Sequence, residues 1–443
     1  MNKPQYNRES TYKIYQIHST QKELDIAVTE KDKQILRELG KKIADIGSLS
    51  IQQTRRQMWS QLNQLEDTKP MVWIDEACWN EMDVDGELGL QTSSPFCQRI
   101  ESELRQTIYQ WSHMQCDMVV DPIVYSPLAV TNTGVGISIE EDIIKKEEDS
   151  IVASHHYHVQ IRGEEDIEKI NMPEITHNEK KSEENYQAYR DIFDGILAVE
   201  KRGIPGFSFS LWDDIIRLTG VQEALLDLAM RPKYIHKLVD RFVDAYLHVL
   251  EQYEKLNLLA LNNNNVRKGS GGNGYTDELP QSGYDHNHVR TSDIWGHATA
   301  QIFAGVSPKM HEEFALKYEK RWLERFGLTY YGCCEPLHKK IHMLRSVPNL
   351  RKISISHWAD IEESADQISN EYVLSLKPSP AVFATDKWHP ERAGEELETK
   401  LKIAKQYNCK VEIIMKDIST VRHEPQRLWE WARIATEIAD KFV

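Results

Sequence analysis

The residues of this sequence that are best suited to chemistry are three in a row, Cys333, Cys334 and Glu335. The triplet follows the strand-forming run Thr329–Tyr331 and precedes a helix-forming segment, so it occupies a strand-to-helix turn. Zinc accepts thiolate and carboxylate ligands, and a helix N-terminus beside a thiol lowers the pKa of that thiol. The triplet therefore predicts a metal site or a reactive thiol. The alternative is that one cysteine is a small buried residue and the other an incidental surface thiol.

Ionisable side chains also follow other predicted strands. His357 and Trp358 come after one strand, Lys377 after the next, and Asp417 after the last. Barrel enzymes take their catalytic groups from these strand ends, where an imidazole or ammonium can position a substrate and a carboxylate can bind a metal. The structural alternatives are a packed histidine, a surface lysine and an aspartate that only accepts hydrogen bonds.

A glycine-rich segment, Asn262–Gly274, adds a second group of candidates. The segment contains no Walker motif, so the prediction that it binds phosphate is weak. The other interpretation is a mobile loop that covers the site. Asp277 and Glu278 follow the segment and are expected to close the site from that side. His297 and Gln301 lie near the next predicted strand and are expected to contact the substrate.

The elements that must position these residues alternate between short β-rich runs and amphipathic helices. This pattern indicates the α/β class with a parallel sheet. About eight such units suit a single (β/α)₈ TIM barrel, and a doubly wound open sheet is the competing interpretation, which is less favoured because no G-x-G-x-x-G follows the first strand. The predicted strands are Met71–Ile74, Asp117–Val120, Gly206–Ser210, Leu258–Leu261, Ala300–Phe303, Thr329–Tyr331, Lys352–Ser356, Tyr372–Leu376 and Val411–Met415. The predicted helices include Val221–Tyr253, Pro308–Phe326, His338–Ser346, Ile361–Ile368 and Glu391–Tyr407.

An N-terminal helical extension is predicted over residues 1–69, before a barrel over residues 70–443. Apolar residues recur at helical spacing from Ile35 to Ile46, and Thr29 with Asp32 resembles a capping box. Such an extension is expected to pack on the barrel or to form a homo-oligomer. The acidic run Glu140–Ser150 is expected to be a solvated insertion.

The composition narrows the choice of partners. The chain has 54 Lys and Arg against 69 Asp and Glu, a net charge of −15, which disfavours nucleic acid and anionic membranes as main partners. The N-terminus lacks the apolar stretch of a signal peptide, and six cysteines are too few for a disulfide scaffold of this length. A cytoplasmic protein with a small-molecule substrate is expected.

One region of the sequence carries a family resemblance. Gly305, Ser307 and Pro308 lead into Phe314 and Tyr318 in the pattern G-x-S-P-x-x-x-x-x-F-x-x-x-Y. With the strand that ends before the Cys-Cys pair and the later run I-S-H-W-A-D, this region resembles the uroporphyrinogen decarboxylase-like superfamily. That group includes cobalamin-dependent methyltransferases, and methionine-synthase-like barrels are related. The motif YGCCEPLH is similar to that of a bacterial branch of the superfamily.

The resemblance implies a (β/α)₈ barrel with its site at the carboxyl face, but the chain departs from both activities. Decarboxylase members hold propionates with arginines after the first strand, whereas Asp75–Glu81 contains none. The methyltransferases hold zinc through His-x-Cys and a distant cysteine. Here Cys333 matches, Tyr331 replaces the histidine, and Asp417 falls about where the distant cysteine would lie.

Together these features predict a methyltransferase that moves a methyl group between a small-molecule or corrinoid donor and a thiol-type acceptor with metal assistance. The expected zinc ligands are Cys333, Cys334, Glu335 and Asp417. The expected catalytic residues are His357, Lys377, Asp277 and Glu278, and the expected substrate contacts are His297, Gln301, Tyr331 and Trp358.

A corrinoid, if used, would come from a separate protein, because the chain has no evident cobalamin-binding domain. Two other functions stay open. One is a metal-independent lyase or decarboxylase that uses Lys377 and His357 electrostatically on a small carboxylic acid. The other is a non-catalytic binding barrel.

Overall fold

The computed structural model describes residues 17–18, 24–145 and 153–442. Its strands, numbered in chain order, are β1 (Met71–Ile74), β2 (Ile123–Pro127), β3 (Val130–Asn132), β4 (Glu141–Lys145), β5 (Ala153–Tyr157), β6 (Ile175–His177), β7 (Ala198–Arg202), β8 (Trp295–Ala298), β9 (Leu328–Tyr331), β10 (Leu350–Ile355), β11 (Val373–Leu376) and β12 (Lys410–Met415). Its α-helices are α1 (Glu30–Gly47), α2 (Ser50–Asn63), α3 (Trp79–Met82), α4 (Pro95–His113), α5 (Glu164–Ile167), α6 (Glu179–Phe193), α7 (Leu211–Thr219), α8 (Val221–Met230), α9 (Pro232–Lys255), α10 (Pro308–His311), α11 (Lys317–Leu323), α12 (Ile341–Leu344), α13 (Ile361–Ile368), α14 (Pro390–Gln406) and α15 (Gln426–Ala439). None of the helices in these ranges is long and apolar enough to cross a membrane.

Six parallel strands form the central sheet, in the order β1-β12-β11-β10-β9-β8. The register aligns Ile74 with Met415 and Ile355 with Leu376, so β1 ends level with β12 and β10 with β11. β12 runs two residues beyond the end of β11, and β10 runs two residues beyond the end of β9. All six carboxyl ends therefore lie along one edge of the sheet, and the residues that follow them meet there. The predicted α/β class is confirmed.

The predicted closed barrel is not detected, since no strand ladder in the described residues joins β8 to β1. Single parallel bridges connect Ile204 with Leu259 and Phe209 with Ala298. Pro205, next to the first of these bridges, has no N–H to donate to a neighbouring strand. Three predicted strands are irregular segments in the structure: Asp117–Val120, Gly206–Ser210 and Leu258–Leu261.

Other boundaries moved by a few residues. The strand predicted at Ala300–Phe303 is wrong, because β8 ends at Ala298 and Gln301–Gly305 is a 3₁₀ helix. The helix predicted over Val221–Tyr253 is two helices, because Pro232 starts α9 and interrupts the hydrogen bonding of the preceding turn. The helix predicted over Pro308–Phe326 is interrupted by a π-helical turn between α10 and α11. The helix predicted from His338 is confined to α12.

The described N-terminal helices pack into the molecule. The predicted capping box at Thr29 and Asp32 is confirmed, and it begins α1. Leu36 of α1 shares a buried cluster with Phe96 of α4 and Phe193 of α6. Residues 1–16 and 19–23 of the predicted extension, like residues 146–150 of the acidic run, lie outside the described residues. The division at residue 69 stays a prediction.

A chain of buried polar groups fixes the strand β9 to the helices behind it. Lys340 donates to His311 Nδ1 at 3.1 Å, His311 Nε2 donates to the Tyr331 oxygen at 2.7 Å, and Tyr331 donates to Glu319 Oε2 at 2.6 Å. Glu319 is fully buried, and burial raises the pKa of its carboxyl to about 8. The folded protein therefore holds a proton on Glu319 at neutral pH.

The Glu319 proton makes stability depend on pH. Because the carboxyl ionises near 4.5 ordinarily and near 8 in the fold, its contribution to stability is complete below 4.5 and is lost as pH rises through 8. We expect the unfolding free energy of the wild type to fall relative to that of Glu319→Gln across this window, by on the order of 3 to 5 kcal/mol. Urea titrations of both proteins at several pH values measure this difference, and a constant difference would contradict it.

Candidate functional site

A tight turn after β9 presents the two adjacent thiols. Gly332 has φ of 95°, and a Cβ there would lie 2.6 Å from Leu337, so the turn requires glycine. The N–H of Cys333 donates to Glu335 Oε2 at 2.8 Å, and its carbonyl accepts from the Ser354 hydroxyl at 2.6 Å. The backbone of Cys333 is thus held by Glu335 of the same turn and by Ser354 of β10.

The two sulfurs converge on one ammonium group. Cys333 Sγ lies 3.5 Å from Cys334 Sγ, and Cys334 Sγ lies 3.3 Å from Asp417 Oδ2. Lys416, directly after β12, places Nζ 3.4 Å from Cys333 Sγ, 3.7 Å from Cys334 Sγ and 2.7 Å from Asp417 Oδ2. Glu76, after β1, lies 3.7 Å from the same ammonium. Three strand ends therefore build one cluster of two thiols, two carboxylates and a lysine, which we call the thiol cluster.

The thiol cluster separates the two cysteines electrostatically. A hydrogen bond with Cys334 and the charge of Lys416 lower the pKa of the Cys333 thiol, against the effect of burial. The pKa of Cys334 is raised by its hydrogen bond to Cys333 and by burial. Cys334 carries a single proton that faces two acceptors, the Cys333 sulfur and the Asp417 carboxylate. Cys333 is accordingly the thiol of the pair that ionises more readily, and Cys334 is the one that keeps its proton.

The donor types of the thiol cluster suit zinc, but their arrangement does not. The ammonium of Lys416 occupies the space among Cys333, Cys334 and Asp417 in which a cation would be held. Glu335 faces away, since its other oxygen accepts hydrogen bonds from Thr299 and the N–H of Ala300. Among the described residues, no group of three or more His, Cys, Asp or Glu side chains is placed to hold a metal ion. The residues therefore do not fit a resident zinc ion.

Lys377 belongs to a separate buried network. Its Nζ donates to the Tyr330 hydroxyl at 2.6 Å and to the Ser375 carbonyl at 3.0 Å. Ser375 in turn donates to Glu412, which also pairs with Lys352 at 2.8 Å. Burial lowers the pKa of Lys377 to about 7, and the Glu412 charge opposes that shift. The nitrogen of Lys377 is enclosed by protein acceptors instead of facing a substrate.

The glycine-rich segment is packed against the sheet and does not form the predicted mobile loop. A Cβ on Gly271 would lie 2.6 Å from Tyr330, and one on Gly272 would lie 2.4 Å from Trp59, so side chains are excluded. The following Asp277 and Glu278 are exposed at the opposite end of the sheet, where Glu278 pairs with Arg351 near the start of β10. The structure therefore does not bring these two carboxylates to the thiol cluster.

His297 supports the turn that carries the thiols. Burial lowers the pKa of His297 to about 4, so its ring is neutral. Its Nε2 donates to the Gly332 carbonyl at 3.2 Å, which leaves Nδ1 to accept from the Ser208 hydroxyl at 2.8 Å. Both nitrogens are engaged within the protein, one of them at the residue before Cys333.

The other residues predicted to contact the substrate lie at separate positions around the edge of the sheet. Gln301 donates to Asp213 at 3.0 Å, and burial raises the pKa of that aspartate to about 6. Tyr331 faces the helices, as described above. His357 is half-buried, and its ring lies 4.4 Å from the ring of Trp358 at an interplanar angle of 43°. Trp358 is 72% exposed. Burial lowers the pKa of His357.

Sequence reasoning missed Lys416, Glu76 and Arg267. Arg267 lies in the glycine-rich segment and pairs with Asp75 and Glu76, which follow β1. The glycine-rich segment thus brings an arginine to the end of β1, where the sequence of the stretch itself has none. The available signal for Lys416 was its position directly after an apolar strand, the same signal that selected Lys377. Nothing in the sequence pattern pointed to Arg267.

Comparisons with known proteins give little further guidance. No protein-family model matches the chain, and no curated protein matches it. A solved structure, a methyltransferase from Methanosarcina mazei, is similar over 86% of this chain and 98% of its own, with a TM-score of 0.45 and 9% identity. A TM-score of 0.45 is too low for this similarity to indicate a function.

The packed glycine-rich segment generates a stability prediction. Gly272→Ala places a methyl group 2.4 Å from the buried Trp59 ring, and we expect it to lower the unfolding free energy by about 1 to 3 kcal/mol. Gly305→Ala is the control, because a Cβ at that exposed position has no neighbour within 4 Å. Urea denaturation of the two variants measures the difference in unfolding free energy. Equal values would contradict the prediction, because they would show that the segment moves aside without a loss of stability.

Proposed function

We propose that this protein is an enzyme that transfers a methyl group, with Cys333 as the thiol that receives it. The observation that carries the proposal is the position of Lys416, whose Nζ lies 3.4 Å from Cys333 Sγ. The thiolate is the nucleophilic form of cysteine, and a fixed ammonium stabilises it without reorganisation of solvent. Cys334 adds a thiol at 3.5 Å.

In the proposed first step the Cys333 thiolate attacks the methyl carbon of the donor. The sulfur electron pair forms the new S–C bond, and the bond from carbon to the donor breaks with its electron pair leaving on the donor. In the second step the thiolate of the substrate attacks the same methyl carbon, and Cys333 departs as a thiolate. Lys416 and Cys334 stabilise the Cys333 thiolate both when it attacks the donor and when it leaves the methyl group.

The carboxylates of the thiol cluster position the ammonium. Asp417 and Glu76 lie 2.7 Å and 3.7 Å from Lys416 Nζ. They compensate the cost of placing a largely buried ammonium beside the sulfurs, because an unpaired buried charge would be strongly unfavourable. The proposal assigns no step to zinc, since Lys416 already supplies the positive charge that a metal would bring.

The donor in this proposal is a small molecule or a corrinoid carried by a separate protein. The proposal includes membership of the uroporphyrinogen decarboxylase-like superfamily and a (β/α)₈ barrel, which the Cys333 motif and the parallel bridges at Ile204 and Phe209 support. A lyase that uses Lys377 is less favoured, because Tyr330 and Ser375 enclose its nitrogen.

Methyl iodide tests the proposed nucleophile without knowledge of the natural donor. We expect Cys333 to be methylated faster than Cys409, a half-buried thiol whose pKa is raised to about 12 by burial. Lys416→Met should slow methylation of Cys333 by about tenfold or more, which corresponds to the loss of about one pKa unit of thiolate stabilisation. Peptide mass mapping over a time course at pH 7 measures both rates.

Lys402→Met is the matched control, because Lys402 pairs with Glu398 on the surface of α14. That variant should react like the wild type. Equal rates at Cys333 and Cys409, or an unchanged rate in Lys416→Met, would remove the basis of the proposal.

A further inference from the structure

The two cysteine side chains point the same way, which adjacent residues rarely do. Successive side chains of an extended strand face opposite sides. Here the left-handed conformation at Gly332 ends β9 and turns the chain, and the two sulfurs lie 3.5 Å apart. The hydrogen bonds of Cys333 to Glu335 and Ser354 hold the turn in this form. The protein therefore presents a dithiol that is already arranged for one ligand atom to bind both sulfurs.

The thiol pair is reduced and accessible. All six cysteines are free, and Cys333 and Cys334 are half-buried. Cys78, Cys97 and Cys116 are buried, which excludes them from a rapid reaction with a solute. This leaves Cys409 as a half-buried single thiol for comparison.

The charge around the pair selects the kind of ligand. Lys416 Nζ lies 3.4 Å and 3.7 Å from the two sulfurs, so a divalent cation bound between them would meet the repulsion of the ammonium as well as the attraction of Asp417, which lies 3.3 Å from Cys334 Sγ. The binding of a neutral compound of a soft element depends on neither charge. Thiolates prefer soft partners, and a trivalent arsenical is both neutral and soft.

We propose that Cys333 and Cys334 form a binding site for neutral trivalent arsenicals of the type R–As=O. Each sulfur forms one bond to arsenic, and both bonds of the As=O group break. The oxygen leaves as one water molecule with the Cys334 thiol proton and a second proton, which comes from Cys333 or, where Cys333 is already ionised, from solution. Arsenic stays trivalent. This binding goes beyond the proposed methyl transfer and does not depend on it, although an occupied site would block the Cys333 thiolate.

Phenylarsine oxide is the probe, with the full-length reduced protein. We expect one equivalent to bind, to remove two thiols from the count obtained with a thiol reagent, and to be released by 2,3-dimercaptopropanol. Cys333→Ser and Cys334→Ser should each bind about 100-fold or more weakly, because the second bond becomes intermolecular. Cys409→Ser should bind like the wild type.

Loss of a single thiol per bound arsenical, or equal affinity in wild type and Cys334→Ser, would overturn the proposal. Should either serine variant fail to fold, peptide mapping of the wild-type adduct decides, since the arsenical must protect Cys333 and Cys334 together from iodoacetamide. Protection of Cys409 instead would also overturn it. Rapid methylation of Cys333 without arsenical binding leaves methyl transfer standing, and the reverse result leaves only the arsenical site.

Discussion

The ammonium of Lys416 is the group on which the edge of the sheet depends. It contacts both thiols and both carboxylates of the thiol cluster within 3.7 Å, and these groups come from the ends of β1, β9 and β12. Without a positive charge in that space, two carboxylates and a thiolate would repel each other in a partly buried setting. The lysine therefore fixes the ionisation of Cys333 and also the positions of the side chains that surround it.

The parallel sheet brings these groups together with few additional residues. Because all six strands run the same way in near-level register, one residue after each strand is enough to assemble a cluster. The groups that hold the scaffold form hydrogen-bond networks of their own. Lys377 and Glu412 are linked through Ser375 on one face of the sheet, and Tyr331 donates to Glu319 on the other, so each of these buried polar groups has partners.

The sequence predicted the parallel sheet because short β-rich runs alternate with amphipathic helices, although β10 and β12 contain charged residues such as Lys352 and Glu412. It failed for Gly206–Ser210, where Phe209 forms a single bridge to Ala298, and for the closure of the barrel. The structure brings Cys333, Cys334 and Asp417 together, as reading the strand ends predicted. Lys416 was missed because a lysine after a strand has no pattern that separates a surface charge from a buried one. Asp277 and Glu278 were assigned to the wrong end of the sheet, since the direction in which a loop returns is not encoded locally.

The packed glycine-rich segment has a consequence for how this protein can change. Gly271 and Gly272 fill the space beside Tyr330 and Trp59, so the inner face of the sheet has no room there for a ligand. Recognition must then be built from the turns at the rim, which contribute little to the buried core. Substitutions in those turns can alter specificity while the filled interior maintains the fold. The scaffold and its chemistry are therefore free to diverge at different rates.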